Sequence, residues 1–169
     1  GTKIVFTGHP SKEYSSVAND VYVRDVARKK NKLLTNNLSA SPKNLFWISS
    51  NEIVFDFDHR GSAKVMTLNL ENSKLIEVIP EFKDQLFLSS AYQDALYGIY
   101  VTPNRPAEVA LIANAKLENL TQHNELLLGQ YELGATNEIN YKSPDDMEIQ
   151  GWYITPPNFD ESKKYPLIL

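Results

Sequence analysis

Turn-forming residues break this chain so often that little but short strands fits between them. Gly, Asn, Asp and Pro recur every several residues, and the intervals are rich in Tyr, Phe, Val and Ile. Strands are expected at 3–7, 19–27, 32–35, 45–48, 52–58, 64–70, 74–79, 86–89, 95–102, 108–113 and 117–121. Residues 45–48 (LFWI) are apolar and short, as a strand buried on both faces would be. Gly61 closes the turn Asp58-His59-Arg60-Gly61, where positive φ costs it little.

The strands repeat. Lys-Leu occurs at Lys32-Leu33, Lys74-Leu75 and Lys116-Leu117, at separations of 42 residues. At the same offset Leu45-Phe46 aligns with Phe87-Leu88, and Val54-Phe55 with Leu96-Tyr97. A four-stranded unit of about 40–50 residues is the size of a β-propeller blade. The expected fold class is all-β: a partial β-propeller of two to three antiparallel blades from the period, and, as a resemblance in the closing stretch implies, the first strands of a truncated α/β-hydrolase domain after it. The expected boundaries are a partial blade at 1–36, blades at 37–80 and 81–123, a linker at 124–136 and hydrolase strands at 137–169. Residues 107–121 have a second reading. Val109, Ile112, Ala113, Leu117 and Leu120 also suit one helix face. The repeat favours two strands about a turn at Asn114-Ala115.

From Asn137 the chain reads as a hairpin: strand 138–142, a turn at Ser143-Pro144-Asp145-Asp146, and strand 147–155. Pro156-Pro157 ends it, because proline cannot continue a ladder. A third strand is expected to begin in Tyr165-Pro166-Leu167-Ile168-Leu169, an apolar run on which the sequence stops. With the opening Gly1-Thr2, this leads to the expectation of a piece of a longer protein.

Composition limits the partners. A net charge of −4 argues against nucleic acid or an anionic membrane. No apolar run approaches the roughly 20 residues of a membrane span. The absence of cysteine removes disulfides and thiolate metal sites, and fits a cytoplasmic location. An open set of blades leaves strand edges unpaired, so self-association is expected.

The closing stretch resembles the first strands of the catalytic domain in the prolyl oligopeptidase family of serine peptidases, nearest the acylaminoacyl-peptidase-like branch. The residues that carry the likeness are Ile139-Asn140-Tyr141-Lys142-Ser143, Asp145, Ile149-Gln150-Gly151-Trp152-Tyr153-Ile154, Pro156-Pro157 and Lys164-Tyr165-Pro166-Leu167-Ile168. Phe6-Thr7-Gly8 and Asn19-Asp20-Val21-Tyr22-Val23 resemble a blade pattern of the same family. The family usually carries Asp-Gly at the hairpin turn, where this chain has Asp145-Asp146. The resemblance implies a parent that cleaves short or N-acylated oligopeptides, with a WD40-like propeller restricting access. A propeller segment used only for protein contacts is the alternative.

The family's serine nucleophile needs small residues around it, hence G-x-S-x-G. None of the seven glycines here is followed two positions later by serine. No residue is assigned a catalytic, cofactor-binding or metal-binding role, and no cofactor is expected. His9, His59 and His123 read as turn residues. Asp56, Asp58 and His59 read as alternate strand positions leading to a turn, and Asp145, Asp146 and Glu148 as a hairpin tip. Arg28-Lys29-Lys30 with Lys32 reads as a solvated basic turn, an anion site being the other possibility. Trp47, Phe55, Phe57, Tyr97 and Tyr100 read as blade core. The loop 8–18 approaches the length of about 12 residues at which loops are often functional; it reads as a flexible insertion, the wall of a substrate path in a parent protein being the other reading.

Overall fold

The computed structural model describes residues 1–10, 17–36, 38–93 and 95–169. Six residues of the loop 8–18, 11–16, lie outside this set. Residues 1–102 and 107–122 make one compact unit, and 103–106 with 123–169 make a second.

The first unit is three antiparallel sheets in sequence order. The first sheet holds β1 (Lys3–Gly8), β2 (Asp20–Asp25) and β3 (Lys30–Leu33). The second holds β4 (Lys43–Trp47), β5 (Glu52–His59), β6 (Ser62–Asn69) and β7 (Leu75–Glu77). The third holds β8 (Gln85–Tyr92), β9 (Ala95–Thr102), β10 (Arg105–Ala113) and β11 (Lys116–Asn119). Within each sheet every strand pairs with the next in the chain. The architecture is all-β, with the four-stranded sheets of a partial β-propeller. The segment with two readings is strand, turn, strand: Asn114 and Ala115 both take positive φ and close a two-residue hairpin.

Strand β5 explains why the sheets stack. Side chains alternate between faces along a strand. Ile53, Phe55 and Phe57 pack with Val21, Val23 and Leu34 of the first sheet and with Leu68 and Leu70. Val54 points the other way and joins Leu86, Leu88, Leu96 and Ile112 of the third sheet. One strand therefore contributes to two cores. Phe55 is wholly buried, which stabilises by about 1.5–3 kcal/mol at ordinary transfer values. Gly98 in β9 answers a different demand. A Cβ there would stand 2.7 Å from the carbonyl oxygen of Phe87, so no larger residue fits without moving β8.

A clasp recurs at the outer strand. In the first sheet the hydroxyl of Thr35 accepts from the Val21 amide at 2.8 Å and donates to Asp20 Oδ1 at 2.7 Å. In the third, Thr121 accepts from the Val109 amide at 2.9 Å and donates to Glu108 Oε2. The second sheet has Lys64 and Ile79 at these places, and Lys64 pairs with Glu77 at 2.9 Å instead. In all three sheets the residue before the clasp position, Leu34, Val78 or Leu120, donates its amide to the inner strand. These residues set the repeat at 44 and then 42 residues. The structural counterpart of Lys74 and Lys116 is therefore Lys30, paired with Asp25 as Lys116 is with Ala113. Lys32-Leu33 stands two residues out of register with the other two pairs.

Three expectations need correction. Residues 45–48 are not doubly buried: β4 ends its sheet, with a neighbour on one side only, and Trp47 is 41% exposed. Trp47 is thus not blade core, while Phe55 and Phe57 are. The expected third strand at 165–169 does not form; Leu167 and Ile168 are exposed, and among the described residues no partner strand lies beside them.

The second unit is a hairpin and its approach. Helix α1 (Glu125–Leu128) occupies part of the expected linker, and β12 (Ala135–Lys142) starts earlier than the sequence suggested. It pairs along its whole length with β13 (Glu148–Thr155). Ser143 and Asp146 close the turn through backbone bonds, with Asp146 at φ 63°. This is the left-handed region that favours glycine. The Asn104 amide donates to Gly134 O at 2.9 Å, and Phe159 packs on Tyr165 with ring centres 5.0 Å apart. No helix among the described residues is long and apolar enough to cross a membrane.

Candidate functional site

The polar groups singled out on β5 come together with partners from β4 and the segment before it. A bulge interrupts the β4–β5 register between Lys43 and Phe46, and Asn44 within it takes φ 48°. The bulge turns the Asn44 amide onto Asp56, donating at 2.9 Å to Oδ1 and 3.3 Å to Oδ2. Asp56 shares a face with Val54 and so faces the third sheet, where the Leu88 amide donates to it. It is 1% exposed. Burial pushes its carboxyl above the usual range, and the bonds from Asn44 and Leu88 and the charge of Lys43 pull part of the way back.

Asp58 lies farther along the same face and pairs with Lys43 at 2.5 Å in solvent. His59 points to the opposite face, edge-on to Phe57, and its Nδ1 meets Ser39 Oγ at 3.1 Å. Ser, His and Asp thus occur within one small region, which invites comparison with a triad. Geometry separates them: Asp58 and His59 are successive strand residues on opposite faces, and Asp58 is held by lysine. Among the described residues nothing positions a carboxylate behind the imidazole, and Ser39 is exposed. The cluster ties β4 and the segment before it to β5, and its buried member ties the second sheet to the third.

The remaining candidates stay apart. His9 follows β1 and His123 follows the third sheet. Asp145, Asp146 and Glu148 sit at the exposed hairpin tip, where the Ser143 hydroxyl bonds to Asp145 and lowers its pKa. Among the described residues no group of three or more His, Asp or Glu is placed to hold a metal ion. Tyr100 donates to Asp84 Oδ2 at 2.8 Å and packs on Phe82.

Sequence reasoning did not single out Asp56 as buried, nor Glu108, which is 2% exposed beneath Thr121. The signal for Asp56 is its place within Ile53-Val54-Phe55-Asp56-Phe57, where a charge interrupts a run long enough to be covered on both faces. Trp47, Lys3 and Ser49 wall an open cleft of about 340 Å³ at the end of β4.

Comparison with known proteins gives a consistent result. No family model matches the chain. An uncharacterized peptidase, YuxL, of Bacillus subtilis is 26% identical over 112 residues, which is 65% of this chain and 17% of that protein. An acylaminoacyl peptidase solved in complex with Z-Gly-Gly-Phe-chloromethyl ketone superposes over 98% of the chain, with a TM-score of 0.78 and 24% identity. The β-propeller domain of the trilobed protease from Pyrococcus furiosus covers 73% of the chain, with a TM-score of 0.57 and 18% identity. The chain spans 25% of the acylaminoacyl peptidase and 38% of the trilobed protease domain. The likeness to the acylaminoacyl peptidase runs through the three sheets and the hairpin alike: in fold, the chain resembles the acylaminoacyl peptidases of the prolyl oligopeptidase family.

Proposed function

We propose that this chain is the propeller-to-hydrolase portion of a serine peptidase that cleaves short or N-acylated oligopeptides in the cytoplasm. The three sheets restrict access to the active site, and the hairpin starts the catalytic domain. The chain carries no catalytic residue itself. The observation that supports this reading is the likeness to an acylaminoacyl peptidase across 98% of the chain, sheets and hairpin together. A free-standing interaction module would not need the hairpin. The proposed boundaries are 1–36 as a partial blade, 37–80 and 81–123 as blades, 124–136 as linker, and 137–169 as hydrolase strands.

An acyl-amino-acid nitroanilide is the substrate for the test. The 169-residue chain is expected to give no turnover above buffer, and activity that survives stringent purification would overturn the reading. The reading also expects a His-Gly-Gly run and then G-x-S-x-G in a parent polypeptide. Self-association through open sheet edges belongs to the same proposal. Light scattering is expected to give a mass above that of one chain; a monomer at high concentration would remove that part.

A further inference from the structure

The basic turn noted in the sequence opens onto a cavity that the peptidase reading does not use. It has a volume of about 330 Å³, near the lower end for small-molecule sites. Its lysines, Lys3, Lys30 and Lys32, surround an apolar floor of Val23 and Leu70. The register explains the grouping. Asp25 pairs with Lys3 on one side and Lys30 on the other, and Val23 pairs with Lys32 one row further on the same face. Leu70 comes from the second sheet, so the cavity lies where the first two sheets meet.

The local charge is positive within a chain of net charge −4. The carboxylate that lines the cavity is already engaged: Asp25 accepts the Arg28 amide at 2.8 Å and the Arg28 guanidinium at 2.9 Å. Asn31 accepts from Arg24 at 3.0 Å. Lys3 donates to Asn51 at 2.7 Å, and Lys32 donates to the carbonyls of Leu70 and Glu71 at 3.2 and 3.0 Å. These bonds fix two ammonium groups at the rim. Among the described residues no side-chain ion pair or hydrogen bond engages Lys30, which leaves it available to a ligand.

We infer that this cavity binds a small aliphatic carboxylate, its charge between Lys3 and Lys30 and its hydrocarbon body on Val23 and Leu70. A bare inorganic anion would leave the floor uncovered, and a neutral aliphatic group would leave the ammonium groups unmatched. The inference does not depend on the peptidase reading.

NMR titration of the 169-residue chain tests it, followed at the amides of Val23, Asn31 and Leu70. Two carboxylates separate the sources of the group: hexanoate as a free acid, and acetyl-Gly-Leu as a peptide terminus. At least one is expected to give saturable shifts, with its amide and inorganic phosphate weaker by about tenfold. Lys30→Gln is expected to weaken binding by about three- to fivefold, the range of an exposed ion pair. Lys116→Gln, at the equivalent place in the third sheet, is expected to leave it unchanged. Equal shifts from acid and amide, no saturation by about 20 mM, or indifference to Lys30→Gln would each overturn the proposal.

Discussion

Strands β5 and β13 look alike on paper. Each has eight residues, and each opens with Glu-Ile: EIVFDFDH against EIQGWYIT. In β5 five consecutive residues are buried; in β13 none is. The difference lies in what surrounds the strand. Strand β5 has a neighbour on each side and a packed core on each face. Strand β13 has only β12 beside it, and Trp152 and Ile154 are 50% and 72% exposed. Strand composition sets which residues can be covered; the number of layers sets which are. The stability of this chain therefore lies in its first unit, and the hairpin contributes little by itself.

The sharpest way to break this comparison is a pair of truncations. Phe55→Ala is expected to lower the unfolding free energy by about 3–5 kcal/mol, since it empties a place shared by two sheets. Trp152→Ala is expected to change it by less than about 0.5 kcal/mol, as for other exposed positions. Urea denaturation followed by far-UV circular dichroism measures both. Similar losses from the two would mean that the hairpin is as firmly packed as β5.

A smaller effect sharpens the picture of β5 itself. Burial raises the folded pKa of Asp56 above its ordinary 3.8, so the folded chain binds that proton more tightly than the unfolded one. The stability this contributes is present below about pH 4 and is lost as pH rises through the folded value. Asp25, Asp145 and Asp160 are shifted the other way by hydrogen bonds and pull stability in the opposite sense. Asp56→Asn isolates the buried group. The advantage of the native chain over this variant is expected to shrink between about pH 4 and pH 7. Urea midpoints that differ by the same amount at both pH values would place Asp56 in contact with water.

Much of the fold was legible because strand signals and turn signals agreed locally. The positive φ at Gly61 and the turn at Asn114-Ala115 followed from residue type and repeat. The residues missed were those whose state depends on a neighbour in space. Leu45 to Ile48 read as core, yet β4 is a sheet's last strand. Asp56 read as a routine alternate position, yet the third sheet covers it and supplies a bond. The leucines 126–128 have no period, and a turn's worth of backbone bonds, Gly129 to Glu125 among them, makes a helix there. The Lys32-Leu33 match was in phase with its fellows by chance alone, and only the hydrogen bonds reveal the offset. Of the polar cluster, Asp56, Asp58 and His59 were named from the sequence; Ser39, Lys43 and Asn44 were not, because Asn44 is turned there by a bulge and the other two arrive only through the pairing of β4 and the segment before it with β5.

The threonine clasp has a bearing on how such chains change length. Asp20 and Thr35 are 15 residues apart, Glu108 and Thr121 only 13, yet the fastening is the same. The whole discrepancy sits in the hairpin tip, four residues after β2 and two after β10. Insertions and deletions at these tips leave the alignment of the flanking strands untouched. A repeat of this kind is elastic at its outer rim and rigid at its buckle: a fixed period misaligns the first and third sheets, whereas the acid and its threonine bring the two into register.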